Sequence, residues 1–157
     1  MRPLHLEDNM NTHPYIRAFL AGIFVPTLIM PMLLVAFVVA RLLLETPIPI
    51  ERGLVFPLAL VPGVWGLWSM LWLWSHQQTH LPLGLHGAAL PFLLLPAGTA
   101  IGRCVGVLTL GASHAIWFQA LQIPYALIAL GFLAGLAAYY LAWKYIVGFV
   151  YRALGIA

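Results

Sequence analysis

His76, His80 and His86 stand close together in the run Ser75-His76-Gln77-Gln78-Thr79-His80-Leu81-Pro82-Leu83-Gly84-Leu85-His86, where groups able to ligate or titrate crowd together. Imidazole is a good axial ligand for haem iron. The same lone pair could hold the magnesium of a chlorophyll-type ring. His76 and His80 are four apart and share a face if a helix runs on to Thr79. Trp65, Trp68 and Trp72 fall on or near that face, and Trp72 is placed to pack beside a ring. A haem with two histidine ligands needs them on opposite sides of the ring. His114 could be the second only from the same side of a membrane, and the span order derived below puts it on the other side. The cofactor chemistry these residues support is therefore a tetrapyrrole on one histidine. The plainer reading is of interfacial histidines beside an aromatic belt, hydrogen-bonding to headgroups or loops.

Other chemistry is thinly represented. The acids Glu45 and Glu51 read as solvated loop charges, and no acid falls inside an apolar run, so a carboxylate proton relay is not expected. There is no HExxH zinc motif, phosphate-binding loop or dinucleotide fingerprint. Ser75-His76 and Ser113-His114 are neighbours in sequence, which sets no nucleophile–base geometry. Cys104 is the single cysteine, which excludes an intrachain disulfide and a cysteine-based metal site. No catalytic set and no metal site is expected.

The elements that must carry these residues follow from composition. In 157 residues, 63% are hydrophobic and 7% charged, against the roughly 25% charged residues of a soluble domain. Several apolar runs reach the ~18 residues that cross a bilayer as a helix. They are uniformly apolar and do not alternate as barrel strands do. The expected class is thus an all-α integral membrane protein in one domain, with four spans near residues 16–41, 54–75, 85–110 and 125–144 and short loops between them. The third span is drawn long, with Arg103 inside it, because Cys104 to Leu110 would otherwise be an apolar stub. Gly111–Pro124 carries Ala115, Phe118 and Leu121 at helical spacing beside polar residues and reads as interfacial or re-entrant. The first apolar run is too long for a signal peptide and is expected to remain as a helix.

Three spans share a spacing of glycine and proline: Gly22, Pro26, Pro31; Gly53, Pro57, Pro62; and Gly87, Pro91, Pro96. Each first proline crowds the carbonyl of a glycine four residues back, where the backbone has room to adjust. The simplest reading puts Gly53 and Gly87 at helix starts, leaving only the first helix truly interrupted. Gly98, Gly102 and Gly106, with Gly131 and Gly135, form close-approach seams for packing the third helix on the fourth, or for packing on another subunit.

With an even number of spans both termini share a side, and Arg2, Arg17, Lys144 and Arg152 favour the cytoplasm for it over Arg41, Arg52 and Arg103 opposite. The basic residues are scattered, so nucleic acid is not an expected partner. The expected partners are lipid and other membrane subunits. Few charges, short loops and smooth helix faces point to a non-catalytic accessory subunit of a larger membrane complex, respiratory or photosynthetic, and mainly structural. Its specific form holds a chlorophyll-type pigment or haem at the His76–His86 turn and would serve photosynthesis or electron transport. The alternatives are a small homo-oligomeric transporter or channel, and a membrane enzyme acting on lipid.

Overall fold

The computed structural model describes residues 13–43 and 56–156. The polar arm before His13 and the Leu42–Arg52 loop beyond Leu43, with Glu45 and Glu51, lie outside the described residues, as does Gly53. Helix α1 spans Pro14–Leu42, α2 Phe56–Thr79 and α3 Leu83–Cys104. Strands β1 (Leu108–Leu110), β2 (His114–Trp117) and β3 (Leu121–Pro124) follow. Helix α4 (Tyr125–Leu141) passes through a π-helical turn, Ala142–Val147, into α5, Gly148–Ala153. Four helices, Pro14–Leu42, Leu58–His76, Leu83–Cys104 and Tyr125–Ala153, are long and apolar enough to cross a membrane. They are compatible with a multi-pass membrane protein.

The third helix ends earlier than the long reading of 85–110, because Gly106 caps it. At φ +71° this glycine takes a left-handed conformation. Its N–H reaches the Arg103 carbonyl at 3.1 Å, and the Val107 N–H reaches the Gly102 carbonyl at 2.9 Å. That pair of bonds is a Schellman cap. Arg103 consequently sits in the last turn of α3, exposed. Gly106 is a cap and not part of a helix seam. The same device closes α5: Gly155, at φ +64°, bonds Arg152 while Ile156 bonds Tyr151. The last helix therefore runs on to Ala153 instead of stopping at Lys144.

Gly111–Pro124 is neither an interfacial helix nor a re-entrant one. With Leu108–Leu110 it builds an antiparallel three-stranded meander in the order β1-β2-β3, so the described residues are mostly helical with a small sheet and not all-α. Thr109 pairs with Ile116, and Ala115 pairs with both Leu110 and Ile123. The β2–β3 turn places Phe118 and Gln119 at φ 55° and 58°, which no continuous helix tolerates. A sheet with open edges cannot lie in hydrocarbon. The sheet follows the end of α3. The 22 residues of α3 separate it from the histidine turn by about 33 Å.

Burial is concentrated at the end of the bundle that carries the histidine turn. The buried residues of α1 all lie between Ala18 and Pro26. In α2, Trp65, Gly66, Ser69 and Trp72 are buried, and α3 buries Gly84, His86, Gly87, Leu90 and Pro91 there. Helix α4 buries nothing, whereas Trp143, Val147 and Tyr151 just beyond it are completely enclosed. The wider π turn keeps these residues, spaced by four, on one face. Towards the sheet end the bundle opens into an apolar cavity of about 300 Å³ between Val25, Pro26, Ile29, Leu58, Trp65 and Tyr139.

Glycines make the close contacts, but not those of the expected seams. A Cβ on Gly22 would stand 2.5 Å from the Trp65 carbonyl oxygen and 2.7 Å from Ser69 Cβ, and one on Gly66 would meet the Phe19 ring. Gly84 lies against Tyr140 and Gly87 against Trp143, which is how α3 packs on α4 and its continuation. Gly98, Gly131 and Gly135 face open space, and Gly102 lies under Leu108. The edge-to-face pair Phe92–Phe132, 5.1 Å between centroids, occupies the gap between α3 and α4. Two glycines of the Gly–Pro spacing, Gly22 and Gly87, are thus contact points. Pro91 is well inside α3, which begins at Leu83, so Gly87 is not a helix start and first-turn tolerance does not explain this proline.

Gly22→Ala should destabilise the detergent-solubilised protein by about 1–3 kcal/mol, as overpacking against backbone does. Gly131→Ala should leave it unchanged or slightly more stable, because a helical glycine is exchanged for alanine in open space. Thermal unfolding followed by circular dichroism checks both.

Candidate functional site

The histidine turn sits on a layer of tryptophans, and its three imidazoles have three different surroundings. His86 is 6% exposed. Its Nε2 lies 2.9 Å from the Trp68 carbonyl, and since a carbonyl only accepts, the Nε2–H donates. Trp68 returns the contact, its Nε1–H donating to the His86 carbonyl at 2.9 Å, and the two rings stack at 4.8 Å. Trp143 meets His86 edge-on at 5.8 Å. This reciprocal pair joins α2 to α3. Of the two ring nitrogens of His86, Nε2 is already committed within the protein.

His76 is half-buried and stacks on Trp72, with 4.4 Å between ring centroids. Its Nδ1 is 3.4 Å from the Leu81 carbonyl, which also accepts the Trp72 Nε1–H at 3.2 Å. A donor at Nδ1 leaves the lone pair on Nε2, the tautomer and orientation that a ligating histidine adopts. His80 is exposed and takes φ 49° where the chain leaves α2. Its ring meets that of His76 edge-on at 6.2 Å. The three candidates therefore do not converge on one point, and among the described residues no group of three or more His, Cys, Asp or Glu could hold a metal ion. His114 is on β2, at the far end of α3, beside Ser113 Oγ at 3.1 Å.

Two groups were hidden from the sequence reading. Ser69 and Tyr151 are fully buried. The Tyr151 hydroxyl donates to the Ser69 carbonyl at 3.1 Å, and the Ser69 hydroxyl donates to Tyr151 in return. This ties the end of the last helix to the middle of α2. Their only signal was a lone serine among tryptophans. The second group is Tyr140, Lys144 and Arg152, spaced by four and eight along the last helix. With Trp72, His76 and Tyr151 they line a pocket of about 410 Å³. Lys144 Nζ stands 5.5 Å and 5.3 Å from the ring centroids of Tyr140 and Tyr145, within cation–π range. The chain's four acids, Glu7, Asp8, Glu45 and Glu51, all fall outside the described residues. Among the described residues no Asp or Glu faces these cations.

His86→Ala should cost about 2–3 kcal/mol of stability, since it removes a stacked ring and its buried hydrogen bond and leaves a void. His80→Ala, on the surface, should fall within about 0.5 kcal/mol of the parent. Denaturant titration of both variants in one detergent separates them, and equal effects would contradict the clamp.

Comparison of the chain with protein-family models, with curated proteins and with solved structures finds no match.

Proposed function

We propose that this chain is a non-catalytic, mainly structural subunit of a larger membrane assembly, docking on neighbouring helices through the outer part of its last span. One observation carries the reading: α4, Tyr125–Leu141, buries no residue within its own chain, although it presents the bare backbone of Gly131 and Gly135. Lipid tails gain nothing from a glycine surface. A partner helix does, because small residues let two backbones approach. On this reading the helices span the bilayer, and the histidine end, with Arg17, Lys144 and Arg152, faces the cytoplasm.

The tetrapyrrole form of the proposal narrows to His76. It lines an open pocket, stacks on Trp72 and points its Nδ1 at a backbone carbonyl, while the Nε2 of His86 is taken up by Trp68. A respiratory or photosynthetic assembly is the setting that would supply such a ring. The cavity towards the sheet end is lined mostly by apolar side chains and by no charged residue, which does not favour the transporter reading.

Gentle extraction from the native membrane followed by native mass measurement should find the chain with other subunits, and Gly131→Leu with Gly135→Leu should release it. A stable lone monomer would overturn the proposal. If a tetrapyrrole is held, the extracted complex shows a visible absorption band that His76→Ala abolishes and His80→Ala retains.

A further inference from the structure

We propose that the pocket between the start of α3 and the end of the last helix binds the phosphate of an anionic phospholipid headgroup. The pocket of about 410 Å³ brings Lys144 and Arg152 from one helix together with His76 from another. A guanidinium and an ammonium lining one pocket suit a phosphate, which Arg engages with two parallel hydrogen bonds. Trp72, Tyr140 and Tyr151 complete the wall. Aromatic rings of this amphipathic kind settle at the headgroup level.

The depth agrees, given that the helices are spans. Lys144 is 19 residues beyond Tyr125, where the last helix begins, or about 29 Å along the axis. That is the thickness of the hydrocarbon core, ~30 Å, so the ammonium stands at its edge. Arg152 lies two turns further out, in the headgroup region. Tyr145, Ile146 and Phe149, all exposed on the same stretch of helix, give the acyl chains an apolar flank. Basic pockets between helices at this level are the usual receptors for anionic headgroups. The inference does not depend on a partner subunit, and a lipid here takes the same pocket that a tetrapyrrole on His76 would need.

The full chain in neutral detergent is titrated with phosphatidylglycerol and, separately, with phosphatidylcholine, counting lipid retained per chain by native mass spectrometry. Phosphatidylglycerol should be retained in preference. Lys144→Gln and Arg152→Gln should each weaken it roughly fivefold, and together about 25-fold, while Arg103→Gln at the opposite end leaves it unchanged. All are surface changes between good helix formers, and circular dichroism confirms that the variants fold. Equal retention of the two lipids, or an equal loss with Arg103→Gln, overturns the proposal. Displacement of the lipid by millimolar inorganic phosphate would mark the site as one for a soluble phosphate and overturn the lipid assignment. Flotation of the parent chain with lipid vesicles tests the spans independently: a chain that fails to float removes the depth argument and with it the proposal.

Discussion

The ring of Trp143 rests on the bare backbone of Gly87, and the rest of the bundle is arranged about that contact. A Cβ at Gly87 would enter the indole, so the two helices meet closely only because residue 87 has no side chain. Trp65 lies 5.5 Å from the same indole and His86 5.8 Å from it on another side. Turns of α2 and α3 thus close around one residue of the last helix, at 0% exposure. In lipid the hydrophobic effect does little to bring helices together, so contact area and hydrogen bonds must do so. The largest side chain against the smallest gives the most contact. The Trp68–His86 and Ser69–Tyr151 pairs, on either side of it, add directional bonds.

The consequence is a bundle tight at one end and open at the other. Val147 and Tyr151 continue the face of Trp143 by steps of four, so the last helix is anchored by its final turns. Its first part, α4, is left with its glycines uncovered. The fully packed end also carries Lys144, Arg152 and the histidine turn. The open end carries a short sheet and an apolar cavity. The proposed lipid site and the proposed docking face lie in different halves of the bundle.

The helical class and the number of long apolar helices were legible because span length is a matter of bilayer thickness and composition. The boundaries were less so, and each miss has a physical cause. Gly106 looked like the last step of a glycine seam, but its left-handed backbone makes it a cap, which moves the end of α3 back to Cys104. Ala115, Phe118 and Leu121 matched a helical period, yet Phe118 is in a turn between strands. Three positions are too few to fix a period. Within the chain the seam glycines Gly98, Gly131 and Gly135 face open space, while Gly22 and Gly87, noticed for their prolines, make close contacts. Within the histidine stretch, the different surroundings of His76, His80 and His86 were not legible. Stacking of His86 on Trp68 requires the α2–α3 register, which no spacing reveals. Lys144 and Arg152 read from sequence only as orienting charges, because a last helix ending at Lys144 hides that they line one pocket.

The most direct measurement is a double-mutant cycle between residues 87 and 143, by unfolding of the purified protein in detergent. Gly87→Ala should destabilise the parent but be nearly neutral beside Trp143→Ala, since the obstructing ring is then gone, giving a coupling of about 1–3 kcal/mol. Strictly additive effects would mean that the indole does not rest on that backbone, and the arrangement described above would be contradicted.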